Sequence, residues 1–294
     1  MTETSRKLAD IFLATAHEFH LGDLPTEQRH PETFALSDLA RENPAAALDI
    51  LYKIDLAALD RLAGHSGEID NLSRAIGETF ASGGRVFFYG CGATGRLALS
   101  IEYIWRLQHK GSRLADKVVG FMSGGDLALV HSIENFEDHP EFGARQVREI
   151  GFGKNDLLVS CTEGGETPSV IGATEEAMRI SRRKPWFLYC NPDEILRKRV
   201  ERSRRVLDNP GIEKICLYVG PMSLSGSTRL QATTVLQLAS GLALLPHGRG
   251  AEGLGLASFR EFLARADYSF LAPFVEAESK AYAAGEYFLY ETDY

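Results

Sequence analysis

The chain has 294 residues, of which 44% are apolar and 24% are charged, and its formal net charge is −8. This composition is typical of a globular protein that can bury a sizeable core, in one large domain or two small ones. The excess of acidic residues argues against nucleic acid as a partner, because phosphate backbones are bound mainly through lysine and arginine. The acidic composition remains compatible with binding a single phosphate on a small molecule, since backbone N–H groups and hydroxyls can hold such a group.

No signal peptide and no membrane span are predicted. The N-terminus lacks the apolar stretch of a signal peptide, and no run approaches the roughly 18 apolar residues that a span needs. The four cysteines (Cys91, Cys161, Cys190 and Cys216) form no CxxC pair, which favours buried free thiols over disulfides or a metal site. We therefore expect a cytoplasmic protein with no cofactor, no metal and no membrane or nucleic-acid partner.

The N-terminal part of the chain is predicted to be helical. Apolar residues recur at intervals of three or four over 47–62 and again over 69–80, which is the spacing of amphipathic helices. An irregular stretch over 22–32, with two prolines, interrupts the pattern. We expect residues 1–62 to form an N-terminal helical extension.

Five short apolar runs follow, each separated from the next by a segment long enough for a helix. They cover 86–89, 118–122, 157–161, 186–190 and 215–219. Strands that alternate with helices predict βαβ crossovers and a parallel sheet. Because the runs are apolar throughout, helices are expected on both faces. The sequence thus predicts a three-layer α/β/α domain of the flavodoxin-like type over 63–250, with a five-stranded parallel sheet.

The remaining residues, 251–294, are predicted to form a C-terminal helical tail. A long apolar helix over 229–245 precedes this tail, and two further helices are expected over 256–266 and 270–284. Aromatic and apolar residues fill 287–290. Such a patch is expected to pack on another surface.

A glycine-rich turn over 90–96 joins the first predicted strand to a helix. In open parallel sheets, ligands bind at the carboxyl ends of the strands. Glycines allow a phosphate to approach the backbone there, and the helix N-terminus supplies free N–H groups. Taken alone, the turn also fits a dinucleotide site, and hence a nicotinamide-dependent oxidoreductase, or a merely tight turn. The absence of an acid ending the second strand argues against the dinucleotide.

Two more turns rich in glycine and hydroxyl groups follow other strands, at 160–168 and 220–229. Three such turns on one sheet predict a pocket of uncharged donors that suits a sugar phosphate. Glu166 lies within the second turn and is expected to point away, because a carboxylate would repel the phosphate. The candidate phosphate- and sugar-binding residues are Gly92, Thr94, Gly95, Ser160, Thr162, Gly164, Thr167, Ser225, Gly226, Ser227 and Thr228.

Two acidic residues after the second strand are candidates for catalysis. Glu134 and Glu137 lie in a segment predicted to be helical, where a spacing of three would put them on one face. Either could act as general acid or base beside a sugar, or both could belong to a solvated helix end. His131 is a further candidate for a proton donor, or a structural histidine.

These motifs resemble those of the SIS (sugar isomerase) domain family, in the branch of N-acetylmuramic acid 6-phosphate etherase and the glucokinase regulatory protein. The resemblance spans about residues 24 to 240. It rests on the segments 26–31, 90–97, 123–125, 134–138, 167–168, 191–192 and 224–229. It implies a protein that senses or processes a hexose 6-phosphate or an amino-sugar phosphate. It also implies a homodimer and, as for the regulator, a protein partner under its control.

The chain departs from the etherase pattern at the residues that the family uses for chemistry. Etherases of this family eliminate lactate with two glutamates, one as acid and one as base. Glu137 matches the second, whereas Ile104 stands where the resemblance places the first. An aspartate and two lysines of the etherases are replaced by Ile101, Gln231 and Gln237. The resemblance therefore implies a binding protein, with an etherase-like lyase or a sugar-phosphate isomerase that uses Glu137 as the alternative.

Overall fold

The computed structural model describes residues 3–16, 21–131, 133, 135–248 and 255–291. In these residues the chain forms five β-strands and thirteen α-helices. The strands are β1 (Val86–Gly90), β2 (Val118–Met122), β3 (Leu157–Cys161), β4 (Trp186–Tyr189) and β5 (Glu213–Cys216). The helices are α1 (Glu3–Thr15), α2 (Leu36–Glu42), α3 (Pro44–Ala63), α4 (Ser66–Ala81), α5 (Gly92–Gln108), α6 (Leu127–Val130), α7 (Pro140–Glu149), α8 (Pro168–Ile180), α9 (Asp193–Arg199), α10 (Glu201–Leu207), α11 (Gln231–Leu244), α12 (Leu256–Arg265) and α13 (Ala272–Ala283).

The five strands form one parallel sheet in the order β2-β1-β3-β4-β5. Every residue of β1, β3 and β4 is buried, as the unbroken apolar runs predicted. Helices cover both faces of the sheet, so the predicted three-layer, flavodoxin-like α/β/α fold is confirmed. No helix of the described residues is both long and apolar enough to cross a membrane.

Alternate residues of the strands belong to two separate apolar clusters, one on each face of the sheet. Phe88 packs with residues of α4, α5 and α11 on one side. Phe87 packs with residues of α7, α8 and α10 on the other. This alternation follows from the two-residue period of a strand. Burial of each such side chain stabilises the fold by about 1.5–3 kcal/mol.

The fifth strand begins two residues earlier and ends three residues earlier than predicted. The apolar run placed it at 215–219, whereas β5 is Glu213–Cys216, with Glu213 paired to Trp186 and Cys216 to Tyr189. Because β5 is an edge strand with β4 as its one neighbour in the sheet, its outer side tolerates polar residues such as Glu213. The apolar run alone therefore does not mark where β5 begins.

The segment around Glu137 is not the helix that the sequence predicted. Helix α6 ends at Val130, and α7 begins only at Pro140. Asn135 has a φ of 65°, a left-handed conformation that does not continue a helix. Glu137 therefore lies in a turn, so the argument that it shares a helix face with a second acid is wrong. Glu134 lies outside the described residues.

The C-terminal helices pack on the N-terminal ones. In the ion pair between α12 and α3, two nitrogens of Arg260 each lie 2.9 Å from a carboxylate oxygen of Asp60. The ring centroids of Tyr52 and Tyr268 lie 4.8 Å apart. The helices predicted over 229–245, 256–266 and 270–284 are α11, α12 and α13, each a little shorter than predicted.

Helices α7 and α8 cross so closely that their contact requires glycine. A Cβ added to Gly172 would lie 1.9 Å from the carbonyl oxygen of Pro140. We expect Gly172→Ala to lower the free energy of unfolding by about 1–3 kcal/mol, because the helices must move apart. Denaturant titration measures this change. Gly67→Ala in α4 is the control, since no atom lies within 4 Å of the added Cβ; equal losses in the two variants would contradict the prediction.

Candidate functional site

A polar cavity of about 340 Å³ opens at the carboxyl ends of β1 and β2. This is the edge at which open parallel sheets bind ligands. The residues that give the cavity its polar character are Cys91, Arg96, Ser123, His131, Asn135, Glu137 and Arg229. The backbone of Gly92 forms another part of the wall.

The first glycine-rich turn shapes this cavity through two glycines with different roles. Gly92, the first residue of α5, has a φ of 55°, which favours glycine. Gly95 lies beneath it, where an added Cβ would be 2.6 Å from Cβ of Met122. Gly92 thus exposes backbone to the cavity, and Gly95 lets the helix pack against the end of β2.

The hydroxyl of Thr94 is used within its own turn. It accepts a hydrogen bond from the Cys91 N–H at 3.1 Å and donates one to the Cys91 carbonyl at 2.8 Å. The side chain is 1% exposed. In this geometry Thr94 holds the turn in shape and does not present its hydroxyl to a ligand, contrary to the expectation from the sequence.

Glu137 is held at the cavity by contacts on both its side chain and its backbone. The Cys91 thiol donates to Glu137 Oε2 at 2.7 Å. The Ser169 N–H, in the first turn of α8, donates to the Glu137 carbonyl at 2.8 Å. Burial, the hydrogen bond to Glu137 and the charge of that carboxylate raise the pKa of the Cys91 thiol well above its ordinary value. Cys91 is therefore a neutral hydrogen-bond donor and not a nucleophile.

Glu163 is a buried acid that the sequence reasoning missed. It lies two residues after the end of β3 and is 8% exposed, and its Oε1 lies 3.0 Å from the Thr233 hydroxyl oxygen. Burial raises its pKa to about 7, and the negative charge of Glu137 adds to this rise, while Arg229 opposes it. The available signal was its position, two residues after a fully buried strand.

The hydroxyl groups of the second turn bond to one another. Ser160 accepts a hydrogen bond from the Thr174 hydroxyl at 2.8 Å. The Thr162 and Thr167 hydroxyls lie 3.1 Å apart, and the Gly165 N–H donates to Thr162 Oγ1 at 3.3 Å. No residue of this turn is among those that line the polar cavity in the described part of the chain.

Two partners hold the rest of the second turn. Glu166 pairs with Arg202, whose Nε also donates to the Glu166 carbonyl at 2.6 Å. The carboxylate is thus directed away from the polar cavity, as expected. The carbonyl of Gly164 accepts from Asn191 Nδ2 at 2.9 Å. Asn191 also bonds Thr26 at 3.0 Å and 3.2 Å, and so ties the N-terminal segment to this turn.

The third turn contributes one side chain to the cavity. Arg229 lines it, whereas Ser225, Gly226, Ser227 and Thr228 do not. The Ser225 hydroxyl donates instead to the carbonyl of Glu27 at 2.8 Å, and the Thr228 carbonyl accepts from the Thr233 hydroxyl at 2.8 Å.

The structure therefore concentrates charge where the sequence predicted uncharged donors. Arg96 and Arg229 are exposed and flank the polar cavity together with Glu137. Guanidinium groups bind phosphate and carboxylate groups through charge-assisted hydrogen bonds. The described residues contain no group of three or more histidine, cysteine, aspartate or glutamate side chains that could hold a metal ion.

Sequence comparison relates the chain to two kinds of protein. Residues 68–178 match the family model described as the glucokinase regulatory protein N-terminal SIS domain. An N-acetylmuramic acid 6-phosphate etherase from Synechococcus elongatus is 33% identical over 219 residues, which are 74% of this chain and 65% of that protein. One from Lactococcus lactis subsp. cremoris is 31% identical over 218 residues, 74% of this chain and 68% of that protein. The chain thus spans less than two thirds of the Synechococcus relative.

Solved structures that align with this chain have lower sequence identity to it than the etherases do. The tagatose-6-phosphate ketose/aldose isomerase from Escherichia coli has a TM-score of 0.49 and 11% identity, over 89% of this chain and 59% of that chain. A phosphoheptose isomerase from Francisella tularensis has a TM-score of 0.46 and 15% identity, over 68% of this chain and 97% of that chain.

The raised pKa of Glu163 predicts a pH-dependent stability. The folded chain keeps this proton up to a pH of about 7, whereas the ordinary pKa is 4.5. The stability that the neutral carboxyl contributes is thus present below pH 4.5 and is lost as the pH rises through about 7. Between about pH 5 and about pH 8, we expect wild type to lose about 2–3 kcal/mol more stability than Glu163→Gln.

Denaturant titration at several pH values measures this difference. Glu286→Gln, which changes an exposed carboxylate, is the matched control and should follow wild type. Parallel pH profiles for wild type and Glu163→Gln would show that the Glu163 carboxyl is ionised at neutral pH.

Proposed function

The chain belongs to the SIS-domain family, in the branch that contains the N-acetylmuramic acid 6-phosphate etherases, and from this membership we propose that it binds a phosphorylated sugar in the polar cavity. One observation carries the proposal: Arg96, Arg229 and the N-terminus of α5 at Gly92 meet at one cavity of about 340 Å³. That size lies in the range of small-molecule sites.

The phosphate group is assigned to the side of the cavity formed by the start of α5. The free N–H groups and positive dipole end of a helix favour an anion, and Gly92 leaves the backbone accessible. Two guanidinium groups match the charge of a phosphate dianion and offer paired donors to its oxygens. This arrangement replaces the ring of uncharged hydroxyls that the sequence suggested.

The sugar is assigned to the opposite side of the cavity, where Asn135, His131 and Glu137 offer donors and acceptors to its hydroxyls. We propose a hexose 6-phosphate or an amino-sugar phosphate, which the protein senses or processes. Thr94 and Ser160 are excluded as direct ligands by their burial and internal hydrogen bonds. The other predicted binding residues do not line the polar cavity, and we propose that they support the residues that do: Gly95, Thr162, Gly164, Thr167, Ser225, Gly226, Ser227 and Thr228.

An etherase-like lyase is the second candidate function, since two acidic side chains, Glu137 and Glu163, lie at one sheet edge. Glu137 would act as the base, and Glu163 holds a proton near neutral pH. Ile104, at the position of the etherase glutamate, lines a different cavity further along α5. A catalytic pair in this chain would therefore be Glu137 and Glu163.

Calorimetric titration tests the proposal with glucose 6-phosphate, fructose 6-phosphate, glucosamine 6-phosphate and N-acetylmuramic acid 6-phosphate. We expect binding of at least one sugar phosphate, weakened about tenfold or more in Arg229→Ala, because a charge-assisted hydrogen bond is lost. Arg41→Ala, which removes an exposed arginine of α2, is the matched control and should bind as wild type does. Absence of binding at millimolar concentrations of every sugar phosphate would refute the proposal.

A coupled assay for lactate release, run beside the titration, separates sensing from catalysis. Release of lactate from N-acetylmuramic acid 6-phosphate, abolished in Glu137→Gln, is the result expected of a lyase. Binding without release is the result expected of a sensor. Release that persists unchanged in Glu137→Gln would contradict the role assigned to this residue.

We further propose a cytoplasmic homodimer and, for a sensing role, a protein partner whose activity it controls. Four free cysteines support a reducing compartment. Helix α11 is mostly buried within the chain itself and offers little surface for a dimer contact. The aromatic patch at 287–290 stays available, since Tyr287 and Leu289 are almost fully exposed.

Sedimentation tests the dimer. We expect wild type to sediment as a dimer at micromolar concentration and a Tyr287→Ser, Leu289→Ser double variant as a monomer, because the apolar contact is lost. Phe34→Ser, which removes another exposed aromatic side chain, should leave the dimer intact. A monomeric wild type would refute the proposal.

A further inference from the structure

Glu137 reaches the polar cavity from the segment that joins α6 to α7. The described residues between the end of α6 at Val130 and the start of α7 at Pro140 form turns and irregular chain. A side chain in such a segment takes its direction from contacts with neighbouring elements, because no regular backbone fixes it. The contacts of Glu137 therefore decide where its carboxylate lies in the cavity.

The backbone of Glu137 is anchored where α7 and α8 cross. Its carbonyl accepts a hydrogen bond from the Ser169 N–H at 2.8 Å. Ser169 is 0% exposed, and a Cβ added to Gly143 of α7 would lie 1.8 Å from the Ser169 carbonyl oxygen. Because the two helices meet backbone to backbone at this point, Ser169 is a rigid support. It fixes the main chain of Glu137 and leaves the direction of the side chain to other contacts.

The Cys91 thiol holds the carboxylate of Glu137. It donates to Glu137 Oε2 at 2.7 Å, whereas Oε1 has no hydrogen-bond partner among the described residues. Cys91 is itself fixed by the start of α5, since its N–H donates to the Thr94 hydroxyl oxygen at 3.1 Å. The thiol thus occupies one carboxylate oxygen and leaves the other one unpaired.

Ser123 connects the thiol to the support of the backbone. A hydrogen bond from Ser123 opposes the rise in the pKa of the Cys91 thiol that burial and Glu137 cause. The Ser123 and Ser169 hydroxyls lie 3.0 Å apart, and both serines are buried. Polar contacts therefore run from Ser169 through Ser123 to the thiol and on to the carboxylate. Because the Ser169 N–H also holds the carbonyl of Glu137, one connected set of groups fixes both its side chain and its backbone.

The opposite charges at the polar cavity stay apart in this structure. Glu137, Arg96 and Arg229 all line the cavity, yet among the described residues Glu137 forms no ion pair with either arginine. Opposite charges attract, and a guanidinium group pairs readily with a carboxylate. The carboxylate accepts its hydrogen bond from a neutral thiol instead. A contact that holds Glu137 away from the arginines leaves both guanidinium groups available to an anion.

From these contacts we propose that Cys91 is a positioning residue: its thiol keeps the Glu137 carboxylate off the two arginines, so that they bind the phosphate and Oε1 accepts from the sugar. The inference rests on the proposed function and adds the residue that keeps the opposite charges of the site separate. A carboxylate paired with a guanidinium group would occupy the donors that the phosphate needs. A thiol suits this task, because it donates a hydrogen bond without adding a charge of its own.

A double-mutant cycle between Cys91 and Glu137 tests this role, with calorimetric titration of the four sugar phosphates named above. We expect Cys91→Ala to weaken binding about tenfold, because the released carboxylate competes with the phosphate for the arginines. The same change should have no effect in a Glu137→Gln background, where the competing charge is absent. Cys91→Ser keeps a hydrogen-bond donor and should bind as wild type does.

Cys216→Ala is the matched control, since Cys216 is also a half-buried free thiol but does not line the polar cavity. It should bind as wild type does. If Cys91→Ala weakens binding equally in the wild-type and Glu137→Gln backgrounds, the loss comes from damage to the start of α5 and the proposal is overturned.

Alkylation of Cys91 by iodoacetamide, located by mass spectrometry, tests the contact without a ligand. Burial, the hydrogen bond to Glu137 and the charge of that carboxylate raise the pKa of the thiol, and only the thiolate reacts. We expect Glu137→Gln to speed the alkylation about tenfold. Asp126→Asn, which removes an exposed carboxylate shortly after β2, should leave the rate unchanged. A wild-type rate in Glu137→Gln overturns this proposal alone, whereas a wild type that binds no sugar phosphate refutes the proposed function and this role with it.

Discussion

The close approach of α5 to the sheet is the constraint on which both cavities depend. A Cβ at Gly120 in β2 would lie 2.3 Å from the carbonyl oxygen of Ala98 in α5, so nothing but glycine fits between helix and strand. This contact sets the direction in which the helix leaves β1. Its first turn then opens on the polar cavity through Gly92 and Arg96. Its later turns line a second, mainly apolar cavity through Ile101, Ile104 and Trp105.

Under the proposed function, the protonation of nearby acids decides how strongly the polar cavity attracts an anion. Arg96 and Arg229 are positive, and Glu137 is a carboxylate at the same cavity. Burial keeps the Cys91 thiol protonated and raises the pKa of Glu163 to about 7. Glu163, which would otherwise add negative charge near the polar cavity, is thus neutral below this pH. The buried surroundings of these side chains, and not their residue types, set the charge of the site.

Most of the fold could be predicted from the sequence, because its strands are buried on both faces. Such strands consist of unbroken apolar runs, and four of the five were located to within one residue. The exception, β5, is an edge strand, where polar residues such as Glu213 are tolerated and the apolar run no longer marks the boundary. The turn at Glu137 was also not predicted from the sequence. Two acidic residues spaced three apart suggest a helix, but Asn135 adopts a positive φ, which ends any helix there.

The sequence by itself determined the parallel α/β/α sheet, the glycine-rich turn at the start of α5 and the family to which the chain belongs. Only the tertiary structure decided which side chains share a cavity. It brought Arg229 of the third turn to Arg96 of the first, used the Thr94 hydroxyl inside its own turn, and buried Glu163. The physical reason is that periodicity and turn chemistry depend on neighbours along the chain. Burial, charge and hydrogen-bond partners depend on residues that come close only when the chain folds.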